Sequence, residues 1–151
     1  MNVLMVCLGN ICRSPMAQAI LERHGRERGL ALTVDSAGTG DWHVGDLADP
    51  RTRAELARRG TPLDHRARTV RHEDFTAFDH ILAMDRSNLA NLLALAPAAA
   101  TAQVALIGDF DPAAPGSEVP DPYHDGPDAF TAVYDQLDRA CRGFLDQTAR
   151  P

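Results

Sequence analysis

The order of short apolar runs and amphipathic stretches predicts an α/β fold: a single-domain, three-layer sandwich with a four-stranded parallel sheet and helices on both faces. Four brief apolar runs, each bounded by a turn signal, read as buried strands. Helix-period stretches alternate with them. The length of 151 residues, with 44% hydrophobic and 24% charged, suits one globular domain over residues 1–151 whose core needs no disulfide or metal.

Residues 2–7 form the first run, rich in Val, Leu and Met and closed by a Gly-Asn pair, as expected of a strand covered on both sides. Ser14-Pro15 then opens a helix, with serine as cap and proline at the first helical position. Met16, Ala19, Ile20 and Leu21 supply its apolar stripe until Gly25 or Gly29 ends it. A second strand is expected over residues 30–37, broken by Gly38-Thr39-Gly40, and a helix over 50–59, closed by Gly60. The third strand covers 78–84, a helix over 86–96 stops before Pro97, and the fourth strand covers 103–107. Residues 108–127, rich in Pro, Gly and Asp, make the longest loop. The closing helix runs over 128–148, with Phe130, Val133, Tyr134, Leu137, Cys141, Phe144 and Leu145 at core spacing. The result is a Rossmann-like arrangement, in which ligands sit beyond the carboxyl ends of strands. Cys7 stands at that end of the first strand.

Composition narrows the function. The formal net charge is −6, and all 15 basic residues are arginine, which argues against a general nucleic-acid binder. No apolar run approaches the roughly 20 residues that span a bilayer, so no membrane association is expected. The opening residues lack the charged lead and cleavage site of a signal peptide, which points to a cytoplasmic protein. Cys7, Cys12 and Cys141 are an odd number, better read as free thiols in a reducing compartment than as a disulfide framework. The six histidines lack the paired spacings of zinc sites, so neither a metal nor another cofactor is implied. Arginine runs at 51–53, 58–59 and 66–71 read as solvated faces. A monomer is the default.

The chemistry concentrates in Cys7-Leu8-Gly9-Asn10-Ile11-Cys12-Arg13-Ser14-Pro15, between a strand and a helix. A tight loop there turns the backbone N–H groups of Leu8, Gly9, Asn10, Ile11, Cys12 and Arg13 into one nest at the positive end of a helix dipole, which suits a tetrahedral oxyanion. Gly9 permits the close turn, and Asn10 tolerates a left-handed backbone. Arg13 adds a planar fork for phosphate oxygens. The same field favours the thiolate form of the Cys7 sulfur, with Ser14 as a further hydrogen-bond donor to the bound anion. One loop thus binds phosphate and supplies a nucleophile for it.

Thiolate attack on a phosphate ester needs a proton for the departing oxygen. Asp121 lies between Pro120 and Pro122, which stiffen its loop, and that loop follows the fourth strand back toward the Cys7 edge. An ordinary turn aspartate fits the same pattern. Trp42, the sole tryptophan, sits in a polar Gly-rich loop, where a place on the pocket rim is more natural than one in the core, and Tyr123 is read as rim over core in the same way.

A cysteine and an arginine separated by five residues mark protein tyrosine phosphatases, and the fuller string CLGNICRSPMA near the N-terminus resembles the low-molecular-weight protein tyrosine phosphatases. The resemblance continues through Asp35-Ser36-Ala37-Gly38-Thr39-Gly40, Trp42-His43-Val44-Gly45, Ala83-Met84-Asp85 and Asp121-Pro122-Tyr123. It implies a metal-independent phosphatase acting on phosphotyrosine through a cysteinyl-phosphate intermediate, with Cys7, Arg13 and Asp121 catalytic. It implies Ser36 and His65 as supports of the phosphate loop through Asn10, and a Cys12 able to pair with Cys7 after oxidation. Tyrosine-phosphorylated proteins are the implied partners, a bacterial tyrosine kinase among them. His124 departs from relatives that carry a second tyrosine there.

Three other readings compete. Arsenate reductases of this fold need two further cysteines after the third strand, and residues 83–102 hold none. Protein-arginine phosphatases resemble the chain but carry threonine where Ile11 stands. A non-catalytic phosphate-binding or redox-sensing module would lack the nucleophile, arginine or acid, and candidates for all three are present.

Overall fold

A computed structural model describes residues 1–149. Its elements, in chain order, are β1 (Asn2–Cys7), α1 (Arg13–Glu27), β2 (Thr33–Gly38), α2 (Pro50–Arg58), α3 (Asp74–Ala77), β3 (His80–Ala83), α4 (Arg86–Leu95), β4 (Gln103–Leu106), a 3-10 turn (Ile107–Phe110) and α5 (Pro127–Thr148). The four strands are parallel in the order β2-β1-β3-β4.

Strand β1 is central, and its alternating side chains build two cores. Val3, Met5 and Cys7 join the buried residues of α1 and α5, while Leu4 and Val6 meet Phe75 of α3 and Leu92 of α4. These are the three layers that the alternation of elements requires. Helix α5 contributes Phe130, Tyr134, Leu137, Phe144 and Leu145, all essentially inaccessible to water. Each such side chain is worth about 1.5–3 kcal/mol of burial.

The ends of several elements differ from the sequence expectation for local reasons. Strand β2 starts at Thr33, not residue 30, because Gly29 turns left-handed (φ +66°) after α1 and the Leu30 amide closes back onto the Gly25 carbonyl at 2.9 Å. Leu32 packs back against Gly25, so this apolar stretch finishes a helix before it starts a strand. Strand β3 starts at His80 because Phe78 terminates α3, a single turn too short to show periodicity. Strand β4 gives way at Ile107 to the 3-10 turn. Ser14 is not the cap of α1: the helix begins at Arg13 with Cys12 as N-cap and no side-chain capping bond. Asp49 and Asp85 do cap α2 and α4, and Asp85 forms a reciprocal capping box with Asn88.

The loop between the 3-10 turn and α5 returns to the carboxyl edge of the sheet. The Val119 amide bonds the Met84 carbonyl at 2.8 Å, extending past β3 and bringing the next residues over the end of β1.

Candidate active site

Residues 7–13 leave β1 and re-enter as the first turn of α1, wrapping around Asn10. Asn10 is the only non-glycine residue with positive φ (58°) among the described residues, and it is fully buried. Its polar groups are satisfied from several directions. Its amide N–H points at Cys7 Sγ (3.3 Å), its Nδ2 donates to Ser14 Oγ (2.9 Å), its Oδ1 accepts from the Arg68 amide (3.0 Å), and its carbonyl accepts from His65 Nε2 (2.8 Å). A left-handed L-residue costs roughly 1–2 kcal/mol, and these bonds offset that cost.

Ser14 Oγ lies 2.9 Å from Cys7 Sγ. Because the hydroxyl oxygen already accepts from Asn10 Nδ2, its own hydrogen is free for the sulfur. The Ser14 hydroxyl and the Asn10 amide therefore converge on the Cys7 sulfur at the amino end of α1. On the neighbouring strand Gly38 is required by space, since a Cβ there would stand 2.7 Å from the Leu8 carbonyl oxygen.

Arg13 is only 3% exposed. Its Nη1 is anchored to Asp85 Oδ2 (2.7 Å) and the Val119 carbonyl (2.9 Å), while Nη2 lies 3.9 Å from Asp121 Oδ2. Asp85 thus ties the guanidinium to the first turn of α4, and burying the cation costs less for having that partner.

A cleft of about 190 Å³ opens over the loop, lined at its base by Cys7 and Arg13 and on its flanks by Trp42, Asp121 and Tyr123. Asp121 is half-exposed and accepts from the Tyr123 amide at 3.1 Å. Trp42 is 71% exposed and covers Gly40 so closely that a Cβ there would stand 1.9 Å from the ring. Tyr123 stacks edge-on with His124 at 5.0 Å and faces His43 at 6.4 Å. A single cleft therefore brings together every catalytic, phosphate-binding and rim candidate named from the sequence, except that Asn10 lies behind the loop as its support.

Of the supports, His65 reaches Asn10 and Ser36 does not. The Ser36 hydroxyl instead donates to Gln18 Oε1 at 2.7 Å, so its link to the loop passes through α1. Burial pushes the His65 imidazole below its usual range despite the Asn10 carbonyl, Asp35 and Asp64, so the ring is neutral and carries its hydrogen on Nε2. Burial also pushes the Cys12 thiol up to about 12, with Asp49, Cys7 and Asp121 adding to the effect. Cys12 is a neutral thiol beside Cys7.

Asp85, Gln18, His43, Asp49, Arg51 and Arg68 belong to this region without having been assigned a site role from sequence. Two of the arginines expected on solvated faces are instead structural. Arg68 spans Asp35 and Asp74, and Arg51 lies between Asp49 and the Asp121 loop. The Asp49-Pro50 cap-and-proline signature was the available signal for the Arg51 cluster.

The profile of the low molecular weight phosphotyrosine protein phosphatase family matches residues 2–151. The chain belongs to that family. A low molecular weight phosphotyrosine protein phosphatase from Schizosaccharomyces pombe is 45% identical over 98% of this chain and 97% of its own. Among solved structures, a protein tyrosine phosphatase from Entamoeba histolytica with Hepes in its active site superposes with a TM-score of 0.94 at 38% identity, over 99% of this chain and 97% of that one. A Drosophila arginine phosphatase superposes with a TM-score of 0.93 at 36% identity, over 99% of both chains. As a low molecular weight phosphotyrosine protein phosphatase, the chain is a hydrolase of phosphoric monoesters.

Proposed function

We propose that the protein hydrolyses phosphotyrosine in proteins through a cysteinyl-phosphate intermediate. The observation that carries this is the convergence of the Ser14 hydroxyl and the Asn10 amide on Cys7 Sγ, with Arg13 and Asp121 lining the same cleft. The Cys7 thiolate attacks phosphorus as the bond from phosphorus to the aryl oxygen breaks. Protonated Asp121 gives its proton to that oxygen, and the phenol leaves. Arg13 and the loop amides hold the three equatorial oxygens. Water then attacks the cysteinyl-phosphate, Asp121 takes its proton, and phosphate and the thiolate are released. Trp42 and Tyr123 flank the aryl ring.

Tyrosine-phosphorylated proteins, a bacterial tyrosine kinase among them, are the corresponding substrates, and three free cysteines fit a reducing, cytoplasmic setting. The similarity to an arginine phosphatase favours phosphoarginine as the alternative substrate; Ile11 at the loop weighs against it, offering bulk where a hydroxyl would orient water or guanidinium.

The test compares phosphotyrosine, phosphoserine and phosphoarginine peptides with the Cys7→Ser variant as control. We expect phosphotyrosine to be turned over fastest and the variant to bind phosphate without turnover. Undiminished turnover in Cys7→Ser overturns the mechanism, and a preference for phosphoarginine overturns the substrate.

A further inference from the structure

Arg51, in the first turn of α2, makes contacts unusual for an arginine in a charged surface run. Its backbone amide and Nε both donate to Asp49 Oδ1, at 2.8 and 3.0 Å, and its Nη2 donates to Asp49 Oδ2 at 3.0 Å. The outer face of the same guanidinium donates from Nη2 to the Tyr123 carbonyl and from Nη1 to the Asp125 carbonyl, both at 2.8 Å. Its central carbon lies 4.5 Å from the Phe130 ring centre and 5.7 Å from that of Tyr123. Asp49 is 8% exposed, and its amide bonds the Ile11 carbonyl of the phosphate loop at 2.8 Å. Thr52, one residue on, donates to the Cys12 carbonyl at 3.4 Å. The start of α2 is therefore attached to the phosphate loop on one side and to the Asp121 loop on the other.

Among the described residues, the two bonds from Arg51 are the only hydrogen bonds that reach residues 120–126 from earlier in the chain; Arg13 approaches Asp121 only at 3.9 Å. Asp121 itself is held by the Tyr123 amide, so the peptide that Arg51 grips is next to the one that orients the carboxyl group. A flat guanidinium with parallel donors suits this bridge, whereas a lysine would reach one partner at a time.

We propose that Arg51 is a positioning residue for proton transfer. By holding the Tyr123 and Asp125 carbonyls it fixes the height of Asp121 above the phosphate loop, where the leaving oxygen sits. This rests on the assignment of Asp121 as proton donor. Displacing a general acid forfeits part of its roughly 10²–10⁴-fold effect, and only for leaving groups that need the proton.

The experiment measures the pre-steady-state burst of phenol release for aryl phosphates of graded leaving-group acidity. The enzymes are wild type, Arg51→Gln, Arg51→Lys, the pair Asp49→Asn/Arg51→Gln, and Asp121→Asn. The pair leaves no buried carboxylate unpartnered, so it carries the test if Arg51→Gln folds poorly. We expect Arg51→Gln and the pair to slow the burst about 10-fold with phenyl phosphate, less than twofold with 4-nitrophenyl phosphate, and to leave inhibition by inorganic phosphate unchanged. Arg51→Lys should recover part of the loss. Equal slowing across the series, or none, overturns the proposal. If Asp121→Asn shows the leaving-group effect and the Arg51 variants do not, Arg51 alone is refuted; if Asp121→Asn slows every phenol equally, the proton-donor assignment falls and takes the Arg51 role with it.

Discussion

His65 Nε2 donates to the carbonyl of Asn10 at 2.8 Å, so a histidine 55 residues downstream holds the one left-handed asparagine of the loop between β1 and α1. The bond needs a hydrogen on Nε2 but no positive charge, and burial keeps the ring neutral.

This neutrality makes stability depend on pH. The unfolded ring takes up a proton near pH ~6.5, the folded ring only at lower pH, so between the two the unfolded chain binds more protons. The contribution of His65 is fully present above that pH and is lost as pH falls through the folded value. His80 shifts in the same direction through burial, so comparison with His65→Gln isolates the first ring. Urea unfolding between about pH 7 and pH 5 should show a steeper loss for wild type than for His65→Gln. Parallel losses would refute it.

At Asn10 two substitutions separate backbone from side chain. Both Asn10→Gly and Asn10→Ala remove the bonds to Ser14 and Arg68, but only alanine also meets the left-handed penalty of about 1–2 kcal/mol. Alanine should therefore be the less stable of the two by about that amount, read as the difference in unfolding free energy. Equal stabilities would show that the backbone angle relaxes at little cost.

The cysteines should differ sharply in reactivity. The Cys12 thiol, pushed up to about 12 chiefly by burial, stays protonated at neutral pH, and Cys141 is shifted the same way inside the core. Limited iodoacetamide treatment at neutral pH, followed by peptide mass spectrometry, should label Cys7 first, and inorganic phosphate should slow that labelling. Label on Cys12 at a comparable rate would show that its surroundings, Asp49 and Asp121 among them, do not hold its thiol protonated.

Much of this site was legible because its residues are consecutive. Cys7, Asn10, Arg13 and Ser14 lie within one turn connection, where glycine, asparagine and arginine each have a local physical reason to appear. Strand β1 and helix α5 were equally plain, being long or apolar enough to set their own period. The polar tethers were not legible. Nothing near Gln18 says that it will take the hydroxyl of Ser36, and nothing near Arg68 says that it will bridge Asp35 and Asp74. Arginine-rich runs look solvated from sequence because the partners arrive from other elements. Ser14 misled in the opposite sense: a serine before a proline at a helix start reads as a cap, yet here its hydroxyl serves the sulfur.

Asp85 answers to two employers, starting α4 with one carboxylate oxygen and steadying Arg13 with the other. Substitutions at this position should lower cellular abundance and specific turnover together. A screen scoring yield alone would file them as folding defects, and one scoring rate alone would mistake a helix anchor for part of the reacting machinery.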